Sequence, residues 1–416
     1  MKRLVGLVCL FAALSVVGFA ACDSAEKMEL PPETETEVSV TLAPTEAPTE
    51  APTPEPIRTD YRGTELGETE YLALAAQYPG ETFLWDVPLG TQRIDCTVRE
   101  LALTELDEEI LERLVYFPEL GTVDLQGCGD LSAEQIRTLR ERYPSLVLRY
   151  AMTYADVTVT SEQDTVVFTG LCSDDLDGLC AFLESFPNVT TVDLCECGIN
   201  NETAMALNDR YEGRIRFLWT IRLGIWGEFR SDIKAYSTAS NKTEKEMQNR
   251  LSSKACRVFS YCTDLEALDL GHQLIEDLEW IRPLKKLRIL ILADNNVSDV
   301  TPLCELSELE YVELFMTDLA DISPLKNLEN LKDLNLCHCE ITDIEPLKEM
   351  VWLKRLWISG NDLPTSQREA LMEALYDTEL NFTAKGATEE GWREHERYFK
   401  MRSCFKTNSI EPWFAE

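Results

Sequence analysis

LRILILADNNVSDVTPLCELSE occupies residues 287–308, and LEYVELFMTDLADISPLKNLEN follows directly as residues 309–330. Aligned residue for residue, Leu287, Leu290, Leu292, Val297, Val300, Leu303 and Leu306 match Leu309, Val312, Leu314, Leu319, Ile322, Leu325 and Leu328. A third copy gives Leu331, Leu334, Leu336, Ile341, Ile344, Leu347 and Met350, and the opening leucine extends the period back to Leu265 and on to Leu353. A fixed period in this range, opening with apolar residues at the first, fourth and sixth positions, describes one coil of strand and return segment. A single coil cannot bury that apolar set, so burial must come from the coils above and below.

Pro302, Pro324 and Pro346 hold one place in the repeat, each preceded by Thr301, Ser323 or Glu345. A capping residue followed by proline at the first helical position makes the return segment a short helix. Asp277, Asp299, Asp321 and Asp343 form a column just before it. They read as turn and cap formers, with a file of calcium ligands as the alternative.

With this period and the Asp-x-x-Pro-Leu ending, residues 265 to about 363 resemble the internalin-type leucine-rich repeats of bacteria. The resemblance implies an α/β leucine-rich repeat solenoid with a curved parallel sheet and short return helices. It also implies binding to proteins of a host or a neighbouring cell. Where that family keeps asparagine to bond the backbone between coils, this chain has Gln273, Asn295, Thr317, Cys339 and Asn361.

Upstream, residues 117–125 (FPELGTVDL) recur 69 residues later as 186–194 (FPNVTTVDL), a duplication. Tyr143-Pro144 before Tyr150, Met152 and Tyr154 echoes Tyr78-Pro79 before Trp85, Val87 and Leu89, and Tyr211 before Trp219, Ile221 and Leu223. The alternation there reads as strands. Candidate strands end at Leu103, Leu125, Leu148, Phe168, Leu194, Phe217, Leu270, Leu292, Leu314, Leu336, Ile358 and Phe382. Their spacing predicts one continuous curved parallel sheet, interrupted between Phe217 and Leu270. That interval holds a polar stretch, 237–254, read as an inserted helix plus one degenerate coil and the place for any hinge.

Met1-Lys2-Arg3 before an apolar run to Ala21 is an export signal. Ala20-Ala21-Cys22 resembles the bacterial lipobox, with Phe19 where an aliphatic residue is usual. The resemblance implies cleavage before Cys22 and lipid attachment there; plain secretion or an uncleaved anchor is the alternative. Residues 31–56, rich in Pro, Thr and Glu, cannot bury a core and predict a semi-extended stalk, roughly 80 Å long at about 3.1 Å per residue. The organisation read from sequence is a leader at 1–21, lipid anchor and stalk at 22–58, irregular coils at 59–262, regular repeats at 263–386, and a cap at 387–416 covering the core that the last coil exposes.

The formal charge is −35, and loss of Lys2 and Arg3 makes it −37; nine acidic and two basic residues between Asp23 and Arg58 leave about −30 for the folded part. Nucleic acid is a poor partner for such a surface. Of fourteen cysteines, Cys128, Cys197 and Cys339 fall in the asparagine column as small packing residues. Cys195 and Cys337 lie two residues earlier, on the opposite face. Disulfides between coils, or an oxygen-poor habitat that leaves the thiols free, both remain open.

The variable strand positions face the concave wall, where such solenoids bind. They place Ile289, Ile291, Tyr311 and Phe315 in one apolar patch, with Glu313 beside it and Arg355 and Trp357 further along. These seven residues are the candidate binding site for a protein, peptide or glycan; a partner with basic and apolar groups suits the wall. The plainer alternative is that the chain's own segments cover the patch. Cys337-His338-Cys339 invites a metal- or thiol-dependent enzyme or sensor, yet strand alternation separates the two thiols. With three histidines in unrelated positions and no nucleophile–base motif, neither catalytic residue, metal nor cofactor is assigned, and the chain reads as a non-enzymatic recognition module tethered to the outer face of the cell membrane. A structural envelope lipoprotein without a specific ligand is the further alternative.

Overall fold

The leucines of the repeat leave water entirely: Leu265, Leu287, Leu309, Leu331 and Leu353 are all at most 1% exposed in the computed structural model, which describes residues 58–238 and 243–410. Each fully buried Leu contributes about 1.5–3 kcal/mol of transfer free energy, and every coil brings several, which fixes the stacking direction. Seven parallel strands result, ordered as in the chain: Ala235–Ser237, Ala267–Asp269, Ile289–Ile291, Tyr311–Glu313, Asp333–Asn335, Arg355–Trp357 and Glu379–Asn381. Ala267, Ile289, Tyr311, Asp333 and Arg355 stand side by side, so the 22-residue spacing is also the spacing of the coils. Leu268, Leu290, Val312, Leu334 and Leu356 point into the core between strand and return segment.

The return segments are tight turns of helix, Glu279–Ile281, Thr301–Glu305, Ser323–Asn327 and Glu345–Lys348. The aspartate column caps them, as its reading as turn and cap formers anticipates, and the residue before proline does not. Thr301, Ser323 and Glu345 make no side-chain cap; the aspartate two residues earlier does, with Asp277, Asp299, Asp321 and Asp343 each accepting from the backbone N–H two residues on at 2.8–3.0 Å. A carboxylate at that distance closes an Asx turn and complements the orphan N–H groups of the helix start.

All twelve strand positions read from the sequence are occupied, but the expected continuous sheet is broken. Glu100–Ala102, Thr122–Asp124 and Val147–Arg149 form one parallel sheet, and Thr165–Thr169, Thr191–Glu196 and Arg216–Leu218 a second. Antiparallel hairpins intervene, Asp86–Leu89 with Gln92–Asp95, Ala151–Tyr154 with Val157–Thr160, and Thr220–Arg222 with Glu228–Arg230. The backbone groups that would carry the ladder forward are spent inside each hairpin. The three are copies of one device: the N–H of Trp85, Tyr150 and Trp219 donates to Cys96 Sγ, Ser161 Oγ and Ser231 Oγ, while the backbone N–H of those residues donates back at 2.9–3.0 Å. The duplication seen in sequence is therefore part of a threefold pattern.

The long interval before Leu270 contains the strand Ala235–Ser237 as the degenerate coil, then helices Glu244–Gln248 and Ser253–Cys256. The expectations for the leader, Cys22 and the stalk to Pro56 lie outside the described residues. No helix among the described residues is long and apolar enough to cross a membrane.

Candidate functional site

On the inner wall the alternating positions form two rows across the seven strands. Ala235, Ala267, Ile289, Tyr311, Asp333, Arg355 and Glu379 make one; Ser237, Asp269, Ile291, Glu313, Asn335, Trp357 and Asn381 make the other. The structure brings the seven candidate residues together as expected, and then covers them. Ile289, Tyr311, Arg355 and Trp357 are at most 1% exposed, and Ile291, Glu313 and Phe315 are buried as well. They are not a free surface, which corrects the expected exposure.

The cover is the chain's own C-terminal segment. Residues 383–410 cross the inner wall, ending in the helix Glu396–Thr407, instead of sealing the end of the stack as a cap at 387–416 was expected to do. Ala384, Ala387, Trp392, Met401 and Cys404 complete a second apolar cluster with Ile289, Ile291, Tyr311, Phe315, Cys337 and Trp357. Trp392 is wholly buried, its ring 5.5 Å from Tyr311 and 5.3 Å from Trp357, and Arg355 lies 4.2 Å from its centroid. The polar positions of the wall take partners from the strap. Trp392 Nε1 donates to Glu313 Oε1 at 2.8 Å, Asn335 Nδ2 to the Ala387 carbonyl at 2.7 Å, and Trp357 Nε1 to the Glu389 carbonyl at 3.1 Å.

The strap also supplies the basic groups that the acidic wall calls for. Arg397 pairs with Asp333 at 2.7 Å and Arg402 with Asp269 at 2.9 Å. At the far end Asn408 accepts from the backbone N–H groups of Lys234 and Ala235, 3.0 and 2.9 Å, beside the first strand of the sheet. Helix rise and strand spacing agree, since thirteen residues from His395 to Asn408 span about 20 Å and five strand spacings about 24 Å. Burial raises the Glu313 carboxyl above its ordinary range, against the Tyr311 and Trp392 hydrogen bonds that lower it. Burial likewise raises Asp333, and the guanidiniums of Arg397 and Arg355 pull it back.

The wall of the irregular coils differs. In the same two rows Glu100, Ala102, Val147, Thr165, Val167 and Thr169 are exposed, and Asp124, Arg149 and Asp193 are half-buried. Val147 and Val167 show 59% and 54% of their surface to solvent. Arg149 pairs with Glu100 at 2.6 Å, and Arg230 with Asp193 at 2.9 Å. In the sequence Asp124 and Asp193 show only as acidity along the strand faces, and the apolar members here are two valines with no aromatic residue beside them.

The Cys-His-Cys stretch divides as strand alternation requires. Cys337 Sγ lies under the strap and accepts from Ser359 Oγ at 3.1 Å, whereas Cys339 Sγ bonds the Leu314 carbonyl at 3.3 Å inside the coil. Desolvation raises the Cys337 thiol to about 11, which keeps it protonated and a poor metal ligand. Among the described residues no group of three His, Cys, Asp or Glu has the geometry to hold a metal ion, and no disulfide joins the described cysteines.

One family profile and two solved structures are similar to parts of this chain. The profile of Leucine Rich repeats (2 copies) matches residues 329–367. An internalin C2 from Listeria monocytogenes is similar at 19% identity over 38% of this chain and 76% of its own, with a TM-score of 0.27. A second internalin of that species (inlF) is similar at 16% identity over 71% of this chain and 86% of its own, also with a TM-score of 0.27. No curated protein matches the sequence. The seven-stranded parallel sheet, its short return helices and the repeat profile make the fold an α/β leucine-rich repeat solenoid, an architecture that serves generally as a scaffold for binding protein.

Proposed function

We propose that this chain is a non-enzymatic recognition module of the bacterial cell surface, tethered by lipid at Cys22 through the stalk, that binds a protein or peptide on the open inner wall of its irregular coils. One observation carries the choice of surface: the inner wall is closed by the strap over the regular coils and open from Glu100 to Asp193. The patch Ile289, Ile291, Tyr311, Glu313, Phe315, Arg355 and Trp357 serves as the docking site of the strap. Its chemistry fits a basic, apolar partner because the strap is one.

The open wall presents two valines among paired charges, a composition of moderate apolar area with a polar rim that suits protein better than nucleic acid, given the acidic charge. Reversible cross-linking of the chain on cells, comparing wild type with Val147→Asp/Val167→Asp, tests the assignment. Both positions are solvent-exposed, so the variant keeps its fold. Loss of the wild-type cross-linked species in the double variant supports the surface; an unchanged pattern removes it.

A further inference from the structure

Between strap and sheet the packing leaves a cavity of about 270 Å³, with Asp269, Glu313, Phe315, Arg393, Tyr398 and Arg402 among its lining. Two of these groups are unlike the rest of the interface. Glu313 is 3% exposed and receives hydrogen bonds from Tyr311 and Trp392, and among the described residues no cation stands in ion-pair contact with it; Arg393 attracts it across the cavity without touching it. A buried carboxylate without a counter-charge in contact is costly, and its raised proton affinity reflects that cost. Exposed Arg393 stands on the strap side with the Tyr398 ring 6.0 Å away, and among the described residues no carboxylate is in ion-pair contact with it. Asp269 and Arg402, by contrast, satisfy each other at 2.9 Å.

The cavity therefore separates a negative group on the sheet from a positive group on the strap that attract each other without contact, with aromatic surface from Phe315 and Tyr398. Its volume corresponds to about nine waters, at the small end for a ligand site. We infer that this cavity binds a small zwitterion, an apolar α-amino acid, whose ammonium meets Glu313 and whose carboxylate meets Arg393. Such a ligand brings no net charge and gives each of the two groups a partner in contact. Because it bridges sheet and strap, binding also fastens the strap to the wall. This site is separate from the open wall proposed above, and either assignment stands if the other fails.

Calorimetric titration of the full-length chain in mild detergent with L-leucine, 4-methylpentanoate and isoamylamine tests it. L-Leucine is expected to bind, with each single-ended probe weaker by about tenfold or more. Arg393→Gln, at an exposed side chain, is expected to lower L-leucine to the level of isoamylamine, and Glu313→Gln, which keeps an acceptor for Trp392, to the level of 4-methylpentanoate. No saturable heat with L-leucine at about 10 mM, equal affinity for all three probes, or an unchanged affinity in Arg393→Gln overturns the assignment.

Discussion

At the scale of single residues, one column decides how coils lock together. Asn295 Nδ2 donates to the carbonyls of Leu270 and Leu292, and its Oδ1 accepts from Ile275 N; Asn361 does the same with Leu336, Ile358 and Ile341. Where the column holds cysteine, Cys128, Cys197 and Cys339 each reach the preceding coil's carbonyl at 3.3–3.4 Å, and these sulfur bonds are weaker than the amide bonds they replace. Asn295→Ala should therefore cost about 2–4 kcal/mol in urea unfolding, since it leaves buried partners unmet, and Cys339→Ala about 1 kcal/mol. A second column went unread in the sequence. His272, Asp294, Met316, His338 and Gly360 all take positive φ, between 53° and 74°, to turn the chain out of the strand. Gly360 was the visible signal; Asp is tolerated there, and Met316 is strained. Met316→Gly is expected to stabilise by about 0.5–1 kcal/mol, read as a higher melting temperature. Glu313 makes a pH prediction. An acid whose pKa is raised on folding draws stability away as pH climbs from its unfolded value, about 4.5, toward its folded one. The melting temperature of Glu313→Gln minus that of wild type should thus be smallest below about pH 4 and grow toward pH 7; a flat difference would mean the buried carboxyl is not perturbed.

Among elements, the strap and the hairpins are what the sequence hid, for different reasons. The repeat was legible because identical demands recur every coil and the leucines answer them identically. The hairpins escaped notice because their first strands alternate as any strand does; the turn at Ala155-Asp156, with φ of 47° and 62°, carries no glycine, whereas Gly90 in the first hairpin and Gly224 and Gly227 in the third were the visible signal. The strap was legible as composition, apolar and basic residues after 385, but its destination depends on tertiary contact that no local pattern encodes. The wall residues stand together as strand alternation implies, but the chain's own strap lies over them. Trp392 anchors the strap, burying an indole worth about 4–6 kcal/mol as an upper value. Trp392→Ala should raise hydrogen exchange across 396–407 by at least about tenfold while leaving the amides of the Leu290 and Leu334 strands protected. Equal loss across both would make strap and solenoid one cooperative unit.

For the whole molecule, closure of one part of the inner wall leaves the other open, and on the proposed function a lipid tether at Cys22 decides where that wall meets a partner. The tether belongs to sequence alone: Cys22→Ser is expected to move the chain from the membrane fraction to the soluble fraction of fractionated cells, and retention in the membrane would point to an uncleaved anchor. What sequence could not weigh is competition between a segment of the chain and an outside ligand for the same wall, because both are attracted by the same apolar and acidic groups. That the strap won is the claim on which the account of function stands. Native-state thiol labelling read by mass spectrometry tests it most directly, since Cys337 lies on the wall and Cys404 on the strap, both buried, while Cys172 and Cys304 are exposed. Labelling of Cys172 and Cys304 with Cys337 and Cys404 protected until denaturant is added is the predicted result; labelling of Cys337 and Cys404 as fast as Cys304 would contradict it and return the wall to open solvent.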